Sequence, residues 1–154
     1  DLARFIPDAV AQRVHDAIRA DEDLGYESSV ETCPIVGDAS SINDLLDHLI
    51  DNAVSSAGRG SIVTVRLLAH ADGSVSLSVE DNGPGVPDDA LPRLSERFFR
   101  ASSSNEEGSG LGLAIVKRIA ERHLARVSDT LVEPHGLRVE VRFPPTAPSA
   151  ARTT

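Results

Sequence analysis

Four short stretches of this sequence hold residues whose types and spacing could do chemistry. The first is "DNA" at 51–53, where Asn52 sits in "LLDHLIDNAVSSA". The amide of Asn offers a carbonyl oxygen, a hard ligand suited to Mg²⁺, which takes few protein ligands when phosphates supply the rest. Taken alone, an Asn in a helix is better explained as a solvated polar residue than as a ligand. The second is "VEDNGPG", 79–85, in which Asp81 closes an alternating run and Gly83 and Gly85 follow as D-x-G-x-G. Asn-Gly and Pro-Gly are turn signals in their own right, so a bare tight loop is the competing explanation. The third is "RFFR", 97–100, in a stretch with little periodicity. The fourth is "GSGLGLAIVKRI", 108–119, where Gly108, Gly110 and Gly112 lead into a helix. Glycines let backbone approach a ligand closely, and a helix N-terminus presents unpaired N–H groups and a positive dipole end, which together suit phosphate. A glycine hinge without ligand is the alternative. The pattern is not the dinucleotide fingerprint, which needs a strand immediately before it.

These residues need elements to hold them. Ile42, Leu45, Leu46, Leu49, Ile50, Ala53, Val54 and Ala57 recur as one apolar stripe, so Asn52 belongs to a helix. Asp38, Ser40 or Ser41 can cap it, and "GRG" at 58–60 ends it. "SIVTVRLLA" and "SVSLSVED" flank "HADG", a hairpin signal that puts Asp81 at a strand end. Leu113, Ile115, Val116, Ile119 and Ala120 give the helix after the last glycine cluster its buried side, and "ARVSDTLVE" and "LRVEVRFP" read as a closing strand pair around "PHG". Upstream, the spacing of Ala9, Val10, Val14, Ala17 and Ile18 predicts a helix over 7–20 with Pro7 in its first turn, and "GYESSVETCP" predicts a strand. Residues 1–6 read as a connector, 7–145 as one domain and 146–154 as a disordered tail. The expected class is α+β: one mixed sheet with helices on one face.

Composition narrows the chemistry. The chain has 154 residues, is 40% hydrophobic and 25% charged, and carries a net charge of -9. Nucleic-acid binding needs basic surface, so that charge argues against it. An anion must instead be held locally, by backbone N–H groups, a helix N-terminus, a metal or a few arginines. The single cysteine, Cys33, excludes an internal disulfide. No apolar run approaches membrane-spanning length. A start at Asp1 rather than Met leads us to expect a piece of a longer protein.

In their order, the four motifs resemble the catalytic ATP-binding domain of sensor histidine kinases, from about residue 5 to Pro145. "DNA" resembles the N box, "DNGPG" the G1 box, "RFFR" the F box and "GSGLGLAIVKRI" the G2 box. The resemblance implies the Bergerat (GHKL/HATPase) fold, a two-layer α+β sandwich, with ATP as substrate and Mg²⁺ as cofactor. It implies that Asp81 accepts a hydrogen bond from the adenine amino group, with Gly83, Gly85 and Val86 beside the base. It implies that Asn52 holds the metal, that Gly108, Gly110, Leu111, Gly112 and Leu113 wrap the phosphates, and that Arg97, Phe98, Phe99 and Arg100 belong to a lid. Arg100 is then the lid cation nearest the γ-phosphate and, with Asn52, the catalytic pair. The family transfers the γ-phosphoryl group to a histidine on separate dimerisation helices, then to a response regulator, in a membrane-anchored homodimer whose ATP-binding part is cytoplasmic.

Departures from the family pattern bear on chemistry. His48 stands where the N box often has Asn and where gyrase- and Hsp90-type ATPases have the Glu that activates water. Ser55 and Ser56 stand where many histidine kinases carry a basic and an aromatic residue, leaving phosphate charge to Mg²⁺, Arg100, Arg97 or Arg59. Leu137 replaces a Thr, and Ser95 replaces the first Phe of the F box. No histidine, His15 included, has the setting of a phosphoacceptor, so the acceptor is expected on helices outside this chain. The alternative readings are a nucleotide-binding module, or an ATPase of the same fold without histidine-kinase activity.

Overall fold

The computed structural model describes residues 1–19, 23–57, 60–83, 112–132 and 135–146. Alternation along the strands builds a single sheet. Its strands are β1 (Asp23–Ser28), β2 (Ile62–Ala69), β3 (Val75–Asp81), β4 (Arg126–Leu131) and β5 (Leu137–Phe143), in the order β1-β2-β3-β5-β4. β1 runs parallel to β2, and every other neighbouring pair is antiparallel, so the sheet is mixed as expected. The register sets Val65 against Val79 and Leu67 against Leu77, then Leu77 against Val141 and Val79 against Val139. All are buried. The opposite face carries ion pairs instead: Arg66 bonds Glu27 and Glu80, and Arg138 bonds Glu80.

Three helices, α1 (Leu2–Arg19), α2 (Ala39–Ala57) and α3 (Gly112–Arg122), send Ile6, Leu46, Ile50 and Val116, among others, into the same core as the inward strand residues. The helices therefore cover one face of the sheet. α2 buries the stripe read from its sequence, with Val54 half-buried at its margin. Of its three candidate caps, Asp38 serves: its carboxylate accepts the Ser41 N–H at 2.9 Å and its carbonyl accepts the Ile42 N–H. α2 is also the crossover between the parallel strands β1 and β2, which such a pair requires.

Two elements differ from the sequence reading. α1 starts at Leu2, not Pro7, and Pro7 lies inside it. Asp1 caps the helix, accepting the Ala3 N–H at 3.0 Å. Leu2 and Ile6 are 3% and 0% exposed. Burying two such side chains is worth about 3–6 kcal/mol, which offsets the roughly 3 kcal/mol that an interior proline costs. β1 is earlier and shorter than "GYESSVETCP": it stops at Ser28, whose hydroxyl accepts the Val30 N–H and donates to the Val30 carbonyl, turning the chain out of the sheet.

The pairing of α2 with α3 is fixed at one end by His123, just past α3. Its Nδ1–H donates to the Ile119 carbonyl at 2.8 Å, and its Nε2 accepts the Asp38 N–H at 3.2 Å. These partners assign the neutral tautomer with the proton on Nδ1. The ring also stands edge-on to Phe143, 6.3 Å between centroids. Gly37 makes the approach possible, since a Cβ there would lie 2.7 Å from the imidazole. The end of α3 thus meets the start of α2, and the two helices are antiparallel. α3 has 11 residues, about 16 Å at 1.5 Å per residue. The same rise along α2, counted from Asp38, reaches the Leu49–Asn52 turn. Replacing His123 by Ala should lower stability by about 1–3 kcal/mol, from lost hydrogen bonds and ring contact. Urea unfolding reads this as an earlier midpoint at unchanged slope; an unmoved midpoint would show that the tie stabilises nothing.

Candidate functional site

One end of the sheet collects the described residues of the motifs. β3 ends at Asp81, and its antiparallel neighbours β2 and β5 begin beside it. The last turn of α2 reaches the same place. Gly83 lies so close to Ala57 that a Cβ would come within 2.5 Å of the Ala57 Cα. The Ser61 hydroxyl closes the end of α2 by donating to the Ala57 carbonyl at 2.7 Å. Asn82 fastens the turn to β2, its side-chain oxygen accepting the Ile62 N–H at 2.8 Å. From the β4–β5 turn, His135 Nδ1–H donates to the Gly83 carbonyl at 3.0 Å. Gly136, at φ +132°, sits where any side chain would collide with the Asp81 carbonyl oxygen.

Asp81 is the buried acid of this knot, only 4% exposed. Its Oδ1 accepts the Gly83 N–H at 2.9 Å, and the carboxylate also accepts the Leu137 N–H. Burial pushes its pKa up, and the two N–H donors offset only part of that. A buried acceptor at a strand end discriminates between ligands, because one without the matching donor leaves it unpaired. Beside it opens a cleft of about 500 Å³, lined among the described residues by Ala57, Gly60, Ser61, Asn82, Gly83 and His135.

Asn52 is half-buried, one turn before Ala57 on α2. The antiparallel pairing of the helices brings the start of α3, with the N–H groups that no carbonyl within the helix can take, to that same turn. Gly112 opens α3 with open space where a Cβ would be, while Leu113 is 5% exposed and packs in the core. Among the described residues no group of three His, Cys, Asp or Glu side chains could hold a metal. A divalent ion at Asn52 would therefore draw most of its shell from phosphate and water, as Mg²⁺ does. Asp47 and Asp51, the acids nearest in sequence, are both bonded to Arg13 of α1. Gly85, Val86, Arg97, Phe98, Phe99, Arg100, Gly108, Gly110 and Leu111 lie outside the described residues, as do Arg59 and the Ser56 side chain. Of the site residues expected from the sequence, the structure places Asn52, Asp81, Gly83 and Gly112 toward one end of the molecule. The sequence reading missed His123 and His135, whose partners lie far away along the chain; the one local signal was a histidine beside the turn glycine in "PHG".

Comparison with known proteins agrees with this fold. Residues 37–147 match the family described as histidine kinase-, DNA gyrase B- and HSP90-like ATPase. The chain is 36% identical over 142 residues to the sensor protein QseC of Escherichia coli O157:H7, covering 92% of this chain and 30% of that protein. It is 35% identical over 154 residues to the sensor protein kinase PmrB of Pseudomonas aeruginosa, covering 99% and 32%. It thus spans about a third of the length of these curated relatives. Among solved structures, a mycobacterial sensor histidine kinase, MprB, superposes with a TM-score of 0.77 at 27% identity, covering 92% of this chain and 97% of that one.

Asp81→Asn separates binding from stability. The folded chain holds the Asp81 proton more tightly than the unfolded chain, where the ordinary value is 3.8. The carboxylate therefore detracts from stability as pH rises above that value, and the loss disappears on acidification. The variant should be at least as stable as the parent at pH 7 and bind adenine nucleotides at least about tenfold more weakly. Thermal melts and titration with a fluorescent ATP analogue measure both; unchanged affinity in a folded variant would remove Asp81 from the adenine site.

Proposed function

This chain belongs to the family of histidine kinase-, DNA gyrase B- and HSP90-like ATPases, and from that premise we propose that it is the catalytic part of a sensor histidine kinase, passing the ATP γ-phosphoryl group to a histidine on separate dimerisation helices. The observation that carries the reading is Asp81: a buried carboxylate held by two backbone N–H groups beside an open cleft. Such an acceptor suits the amino group of adenine and rejects guanine, which presents a carbonyl there. ATP binding is the family's shared property.

In this reading Asn52 would hold Mg²⁺, which neutralises phosphate charge when bound. The amino end of α3 faces the phosphates with unpaired N–H groups. Arg97 and Arg100 supply lid charge. Phosphoryl transfer needs positioning and charge neutralisation rather than a nucleophile–base pair, which fits a site whose described residues include no such pair. Hydrolysis is disfavoured because position 48 is His, and because Asp47 and Asp51 are occupied by Arg13. The acceptor histidine, a homodimer, a response regulator that receives the phosphoryl group, and a membrane anchor with this part on the cytoplasmic side all belong to the proposal. No helix among the described residues is long and apolar enough to cross a membrane.

The deciding experiment mixes this chain with one carrying the acceptor helices and labelled ATP, and looks for acid-labile phosphohistidine. Its absence, with ATP bound, would leave only a nucleotide-binding module. Asn52→Ala should weaken ATP binding more in Mg²⁺ than in chelator; equal losses would take the metal away from Asn52. Phosphate release by the chain alone should be slow and should rise in His48→Glu, which supplies a general base worth about 10²–10⁴-fold at full effect. Fast release by the parent would move the chain to the ATPase branch of its family.

A further inference from the structure

The peptide of Gly83 is gripped from both sides. Its N–H is held by the Asp81 carboxylate at 2.9 Å, and its carbonyl by the His135 imidazole at 3.0 Å. β3 has already ended at Asp81, so no strand pairing holds this carbonyl. His135 is 52 residues away in sequence. Its own place is set by Gly136, packed on the Asp81 carbonyl, and by Leu137, whose N–H bonds the Asp81 side chain. The β4–β5 turn and the turn after β3 are thus one unit, joined at Asp81 through backbone and at Gly83 through an imidazole. That unit forms part of the wall of the 500 Å³ cleft, and His135 supplies the only ring and the only titratable side chain among its described lining residues.

We infer that His135 is a positioning residue of the nucleotide site, holding the Gly83 peptide so that Asp81 and its turn keep one geometry before the ligand arrives. The inference rests on the reading of this cleft as the adenine end of an ATP site. Turns after strands are free to reorient, and a ligand that must order one binds more weakly by the free energy of ordering. A single neutral hydrogen bond from a side chain suffices to remove much of that penalty. Nδ1 must carry the proton, since a carbonyl can only accept. What matters at position 135 is therefore a donor of about this reach, not ring volume. The Ala57 contact behind Gly83 and the Asn82 bond to Ile62 persist without His135, so its removal should loosen the turn without unfolding it.

The test is the affinity for ATP, by displacement of a fluorescent analogue, of the parent, His135→Ala, His135→Phe, His135→Asn and Asp81→Asn, each with its thermal midpoint. We expect Ala and Phe to bind about five- to tenfold more weakly. Asn, whose side-chain N–H₂ can donate to the Gly83 carbonyl, should stay within about twofold of the parent. All three should melt close to it. Ala binding as well as the parent overturns the inference, as does Asn binding no better than Ala, or Phe matching the parent. If the parent binds no ATP, the reading of the site falls and this inference with it. If the parent binds and Asp81→Asn does not, an unchanged His135→Ala sinks the positioning role alone.

Discussion

The phosphate side of the candidate site depends on the contact between the end of α3 and the start of α2. His123 takes the Asp38 N–H, a donor left over at the head of α2, and gives its ring proton to the Ile119 carbonyl, which its own backbone N–H also reaches at 3.2 Å. The first bond satisfies a donor that a helix cannot satisfy internally, and the second fixes the ring that accepts it. The consequence lies about 16 Å away, at the far end of α3. With the helices antiparallel, the positive end of α3 comes beside the turn of α2 that carries Asn52. A parallel pairing would put it beside the capped head of α2, next to Asp38. The metal-ligand candidate and the phosphate-binding candidate become neighbours because of a histidine that touches neither.

The opposite wall is built by close backbone approach. Gly83 against Ala57 and Gly136 against Asp81 leave no space for side chains. Such contacts place three separate segments within reach of one cleft, but they also bury a carboxylate with too few donors to keep its pKa at the ordinary value. Stability alone would favour a neutral residue there. A site proposed to read a single amino group needs the acceptor in place and dry, so in that proposal the local loss of stability and the selectivity have the same origin.

The elements that carry the candidate positions were legible in the sequence because motif residues are local. D-x-G-x-G announces a strand end and a turn, the glycine run announces a helix start, and the stripe from Ile42 to Ala57 fixes which side of α2 is buried, leaving Asn52 off it. The sheet edges and ties were not legible. β1 ends at Ser28 because a hydroxyl captures the next backbone groups, although the alternation in sequence runs on. α1 continues through Pro7 because Leu2 and Ile6 reach the core, which local propensity cannot report. His123 and His135 act over 85 and 52 residues. Nothing near either in sequence shows what it will meet.

β4 carries the remaining compromise. It is an edge strand, and Asp129 pairs in register with Val139, on the face turned toward the helices. Its Oδ1 has no hydrogen-bond partner among the described residues, and burial raises its pKa to about 6. An apolar residue at that position would pack better. It would also leave β4 a smooth template for another strand, whereas an inward-facing acid makes pairing or a register slip at this edge unfavourable. A domain proposed to approach other surfaces in order to hand over a phosphoryl group has reason to keep its sheet edge from sticking to them. Half-burying one carboxylate secures that without adding bulk to the face that packs on α3.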